Sequence, residues 1–120
     1  KDNQAIYLQI ADLFFENILS EKWVPGDRIP SVREMAVTVE VNPNTVMRTF
    51  TYLQDKGIIY NKRGIGYFVS DDGFQLTKAL KKDDFVSQEL PELFKAMDLL
   101  NVSIDDLQSY YTKYRNGGLK

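Results

Sequence analysis

The sequence predicts an α+β fold that is mainly helical, and three observations carry that expectation. Apolar residues recur at helical spacing near the N-terminus, an Asn-Pro-Asn-Thr start signal opens a helix in the middle, and two β-prone runs flank a glycine-containing turn after it. At 120 residues the chain is one domain or two very small ones, and folding buries roughly two thirds of the surface that the unfolded chain exposes.

In order along the chain, Ile6, Ile10, Leu13, Phe14 and Ile18 predict an amphipathic helix over residues 5–20. Val24-Pro25-Gly26-Asp27 then predicts a type II turn, with Pro presetting the second position and Gly supplying the positive φ of the third. Ser31 and Glu34 have the spacing of a capping box and start a short second helix, whose apolar face is Met35, Ala36 and Val39. Asn42 is an N-cap with Pro43 at the first helical position, so a third helix runs from there to Lys56 and Gly57 caps it in the left-handed conformation. Val46, Phe50 and Leu53 form its inward stripe, and Asn44, Arg48, Thr51 and Asp55 its polar outer face. Two short helices joined by a tight turn make a helix-turn-helix. Ile58-Ile59-Tyr60 and Tyr67-Phe68-Val69 follow as a hairpin, or wing, with Lys62 and Arg63 at its tip. The expectation is a winged helix-turn-helix over residues 1–71 and a short helical dimerisation segment over 72–120.

That second segment carries Phe74, Leu76, Ala79 and Leu80, then Leu90, Leu93, Phe94 and Met97, with Pro91 demanding a kink or a new helix. Ser103 and Asp106 cap a last helix, which presents Ile104, Leu107, Tyr110, Tyr111 and Tyr114 on one side before Asn116-Gly117-Gly118 ends it. So one-sided a segment cannot form its own core, and Leu90, Leu93, Phe94, Met97, Leu107, Tyr110, Tyr111 and Tyr114 are its expected dimerisation residues. A ligand cage is the alternative reading of the tyrosines.

Composition excludes much chemistry. With no His and no Cys there is no disulfide, no Cys/His zinc site and no His-based catalytic triad or haem ligation. Only carboxylates remain, and Asp71-Asp72, Asp83-Asp84 and Asp105-Asp106 fall near expected helix starts or their flanks, where they favour the dipole. No enzyme, metal site or cofactor is expected. No apolar run reaches membrane-spanning length and no signal peptide is visible, which predicts a cytoplasmic protein without a membrane partner. The chain opens on Lys1 rather than Met, so a preceding segment stays open.

The net charge is −2, yet residues 28–70 hold six basic against three acidic groups. A local basic face is what DNA would meet. A third helix in the major groove would offer Asn42, Asn44, Thr45, Met47 and Arg48 to base edges, Asn suiting adenine and Arg guanine. Arg33 would meet the phosphate backbone where the second helix crosses it. Ser31 is chiefly a cap whose amide could also meet a phosphate. Lys62, Arg63 and the Gly64 amide would reach the backbone or minor groove from the wing.

Ile29-Pro30-Ser31-Val32-Arg33-Glu34-Met35-Ala36, Val41-Asn42-Pro43-Asn44-Thr45-Val46, Gly57-Ile58-Ile59 and Arg63-Gly64-Ile65-Gly66-Tyr67-Phe68-Val69 together resemble the GntR family of bacterial transcription regulators. The resemblance covers residues 5–70 in order and spacing. Ser-Val-Arg-Glu and Asn-Pro-Asn-Thr are similar to its YtrA subfamily, which has a short helical dimerisation segment in place of a large effector domain. This implies a homodimeric repressor on a palindromic double-stranded DNA operator, with half-sites about 34 to 36 Å apart. Arg33, Asn42, Asn44, Thr45 and Gly64 match positions where the family touches DNA. Pro43 and Met47 stand where many relatives outside the subfamily carry Arg, Glu40 where a turn Gly is frequent, and Ile65 where a wing cation is common. A small-molecule effector stays unknown. The alternative function is a winged-helix protein-interaction module without DNA binding, suggested by the acidic total and the aromatic tail.

Overall fold

The computed structural model describes residues 4–118, which form two compact units meeting at Lys81/Lys82. In the first unit, α1 (Ile6–Leu19), α2 (Val32–Val39) and α3 (Pro43–Asp55) precede an antiparallel hairpin of β1 (Ile59–Lys62) and β2 (Gly66–Val69). The helix α4 (Gly73–Asp84) follows, and its residues up to Lys81 belong to this unit. The fold is the mainly helical winged helix-turn-helix that the sequence predicts.

Local chemistry fixes each boundary. The Ser31 hydroxyl accepts the Glu34 amide at 3.0 Å while Glu34 Oε1 accepts the Ser31 amide at 2.9 Å, so the capping box is complete. Asn42 Oδ1 accepts the Asn44 amide at 2.8 Å and Pro43 occupies the first turn of α3. At the other end of α3, Gly57 at φ 76° lets the Ile58 amide reach the Leu53 carbonyl at 3.0 Å, which satisfies an orphan carbonyl of the last turn. Glu40 closes α2 in the same left-handed conformation, at φ 55° and ψ 47°. A side chain there costs about 1 kcal/mol that glycine would not. Glu40→Gly is therefore expected to raise the thermal midpoint by about 4 °C, measured by circular dichroism; an unchanged midpoint would show that the loss of unfolded-state stiffness offsets the relief.

The core lies between α1, α2, α3 and the hairpin, with Phe14, Ile18, Val46, Phe50, Leu53, Ile58 and Val69 fully buried. Phe50 sets its edge against Phe14 (centroids 5.3 Å) and Tyr67 (4.7 Å), joining α1, α3 and the wing. Two expected core residues of α1 are not in it: Ile6 and Leu13 are exposed, whereas Ala11 and Phe15 are buried. The buried arc of α1 therefore runs through positions 10, 11, 14, 15 and 18. Phe74, Leu76 and Leu80 of α4 pack on the same core, and Lys81 pairs with Asp12 at 3.4 Å. These contacts carry the first compact unit ten residues past the boundary expected at residue 71.

The wing holds one feature without local sequence signal. Residues 26–29 run along the free edge of β2, with the Ile29 amide donating to Tyr67 O and the Val69 amide to Asp27 O, both at 2.9 Å, and a bridge at Arg28–Phe68. The hairpin is thereby laced to the segment that leads into α2.

In the second unit, a π-helical turn over Phe85–Glu89 leads to α5 (Leu90–Leu100), and α6 (Ile104–Arg115) is capped by the Ser103–Asp106 box. Pro91 explains the π turn. It has no N–H, and its ring clashes with the carbonyl four residues back in a regular helix; widening the preceding turn, so that the Leu90 amide donates to Phe85 O, makes room. Pro91 lies in the first turn of α5, where Glu89 and Leu90 keep helical dihedrals, so the π turn accommodates it with neither a break nor a freshly capped helix start. Asp83 and Asp84 end α4 rather than open a helix, which removes the dipole role expected of them. Met97 is the buried apolar side chain among the described residues of this unit, while Leu93, Phe94, Ile104, Tyr110, Tyr111 and Tyr114 are exposed.

Candidate nucleic-acid interface

The start of α3 presents Asn42, Asn44, Met47 and Arg48 to solvent, with Thr45 half-buried beside them. They stand outward because Val46, Thr49, Phe50 and Leu53 face the core. Asn42 spends its carbonyl oxygen on the cap, which leaves its side-chain amide free to donate. The Arg48 guanidinium lies over the Tyr7 ring, 4.1 Å from the centroid. Thr49, absent from the expected site and core alike, is fully buried and donates to the Tyr7 carbonyl at 2.8 Å. Its spacing from Val46, Phe50 and Leu53 is the signal that places it on the inward stripe.

On α2, Arg33 is exposed in the first turn. Ser31 is half-buried, and its amide already donates to Glu34. A carboxylate thus occupies the place where a phosphate would meet that amide, so Ser31 acts as a cap. Bonding to Ser31, through the amide first and the hydroxyl second, together with the nearby Arg28 charge, holds the Glu34 carboxyl below its ordinary 4.5. Glu34 is ionised, and the cap intact, at neutral pH.

At the wing, the Ile65 amide donates to Lys62 O at 2.8 Å and closes a four-residue turn with Gly64 at φ 79°. Arg63 in this turn is exposed. Lys62 is the last residue of β1 rather than part of the loop, and its ammonium lies 4.9 Å from the Phe68 ring, beside the Tyr60–Phe68 stack. Gly66 has φ 147°, which strains any other residue, and a Cβ there would come within 2.8 Å of Arg28 Nε, so the arginine side chain would have to shift. Arg28, which the sequence did not single out, thus packs across the base of the wing. Arg28, Arg33, Arg48, Lys62 and Arg63 are all exposed. No cluster of three metal-ligating side chains occurs among the described residues, and none of their helices is long and apolar enough to cross a membrane.

Residues 6–69, more than half of the chain, match the family described as bacterial regulatory proteins, gntR family. The chain belongs to the GntR family. The GntR match spans α1 to β2 and so contains the helix-turn-helix and the wing. Among GntR relatives, the chain is similar to the HTH-type transcriptional regulator YhcF of Bacillus subtilis, with 34% identity over 98% of this chain and 96% of that one. It is also similar to the HTH-type transcriptional repressor YtrA of Bacillus subtilis, with 31% identity over 92% of this chain and 84% of that one. A GntR-family structure from Bacteroides thetaiotaomicron superposes with a TM-score of 0.78 at 43% identity, over 93% of this chain and 97% of the other. GntR regulators bind DNA operators and are not enzymes. The chain is accordingly a transcription regulator with a DNA-binding helix-turn-helix.

Proposed function

We propose that the protein is a homodimeric repressor that reads a palindromic operator in the cytoplasm, with residues 1–71 contacting DNA and 72–120 pairing the two copies. The observation that carries this is the division of α3 into a fully buried apolar stripe and an exposed polar face, flanked by a cationic wing. The similarity to the repressor YtrA over nearly the whole chain supports repression and a small helical tail. In this reading Asn42, Asn44, Thr45, Met47 and Arg48 face base edges in the major groove. Arg33, Lys62, Arg63 and the Gly64 amide hold the phosphates on either side. Ser31 contributes by fixing the start of α2.

Selection of bound sequences from a random duplex pool, followed by a salt titration on the enriched site, tests the proposal. A two-fold symmetric consensus is expected, with affinity falling steeply as salt rises. Arg63→Ala should weaken operator and scrambled duplex alike and reduce the salt slope by about one counterion. Arg48→Ala should weaken the operator more than the scrambled duplex. A folded protein that enriches no sequence and binds without salt dependence would point instead to a protein-interaction module.

A further inference from the structure

We infer that Tyr7 is a positioning residue for DNA recognition: its ring holds the Arg48 guanidinium as an oriented donor fork on the outer face of α3. The inference rests on the operator-reading function proposed above. Three contacts tie Tyr7 to α3. Its carbonyl accepts the Thr49 hydroxyl at 2.8 Å, its ring meets Tyr52 edge-on at 5.9 Å, and Arg48 lies over it at 4.1 Å. Arg48 and Thr49 are neighbours and Tyr52 lies one helical turn further on, so α1 is keyed to the turn of α3 that carries the arginine. The Thr49 bond fixes the Tyr7 backbone and Tyr52 meets its ring, and neither contact involves Arg48.

A guanidinium lying over a ring uses its flat face for that contact and keeps its in-plane N–H groups for acceptors. Those groups have the fork geometry that reads guanine O6 and N7. Among the described residues the ion pair is Lys81–Asp12, and none of their carboxylates pairs with Arg48. An unsupported arginine at an exposed helix position would sample many rotamers and lose that freedom on binding; the ring removes part of the loss beforehand.

The test compares the affinity of the full chain for its selected operator and for a scrambled duplex. Tyr7→Phe keeps the ring and is expected to match wild type. Tyr7→Leu removes it and is expected to lower operator affinity about ten-fold while leaving scrambled binding unchanged. In an Arg48→Ala background Tyr7→Leu should then change the ratio no further. Arg48→Lys, which keeps the charge on an exposed side chain and loses the planar fork, is expected to lose discrimination to a similar extent, and it decides the matter should Tyr7→Leu fail to fold. Equal losses on both duplexes from Tyr7→Leu, undiminished discrimination by Arg48→Lys, or tighter operator binding on removal of the ring would each overturn the inference. A wild-type chain that prefers no sequence would overturn the functional proposal and this one with it.

Discussion

Phe50→Ala is expected to destabilise the winged-helix unit by about 3–5 kcal/mol. The Phe50 ring is fully buried and stands edge-on between Phe14 of α1 and Tyr67 of β2. Truncation removes the transfer free energy of the ring and two aromatic contacts at once. It also leaves a cavity that three different elements would have to close together. A domain of this size has about 5–15 kcal/mol in total, so the loss is a large share of the stability and brings a domain at the low end of that range to its unfolding midpoint. Operator binding would fall because the folded fraction falls. Thr51→Ala is the control: it lies on the next residue of the same helix, is exposed, and should stay within about 0.5 kcal/mol of wild type. Urea denaturation of both variants checks this. A loss below about 1 kcal/mol for Phe50→Ala would show that the ring is not the wedge that joins helix to wing.

The parts of this architecture that were legible in the sequence are those fixed within four or five residues. Asn42-Pro43 set the start of α3, Ser31 with Glu34 and Ser103 with Asp106 formed their boxes, and Gly57 and Gly26 took the positive φ their turns require. Each depends on a side chain meeting a backbone group a few positions away, and a short pattern specifies that. Glu40 is the instructive exception to residue preference. The turn demands a left-handed residue and has one, although its side chain opposes it. Tertiary packing of Met35 and Ala36 on one side and Val46 on the other fixes that reversal.

Contacts that depend on how elements cross were not legible. Arg28 pairs with Phe68 across a separation of forty residues, in a segment too short to show alternation and followed at once by Pro30. Arg48 reads from spacing as a free outer residue, and it is outer, but the crossing of α1 over α3 brings Tyr7 under its guanidinium. Ile6 and Leu13 share the helical spacing of true core residues and still face solvent, because the buried arc of α1 is narrower than its apolar one. Pro91 announced a disturbance; that a π turn would absorb it depends on the backbone of the preceding turn and not on residue type.

The largest functional effect is expected from the second unit. Exposed Phe85, Leu93, Tyr110, Tyr111 and Tyr114, with half-buried Leu107, line an open apolar groove of about 720 Å³. Among the described residues of this unit one apolar side chain, Met97, is buried, too little to hold three helical stretches by itself, and in the homodimer proposed above this apolar face lies against the second copy. Placing two carboxylates in it, by Leu93→Asp with Tyr111→Asp, would strand unpaired charge in a dry interface, which costs several kcal/mol. The double variant is expected to be monomeric at micromolar concentration in sedimentation velocity. Its affinity for a two-half-site operator should fall by about 10²- to 10⁴-fold, because the second recognition helix is no longer delivered at high effective concentration. Affinity for a single half-site should not change, and that separates lost pairing from a damaged reader. Ser109→Asp adds one carboxylate to α6 outside the groove and should leave the assembly intact. A double variant that still sediments as a dimer would place the pairing surface elsewhere. A monomer that keeps full operator affinity would mean that one copy reads the site alone.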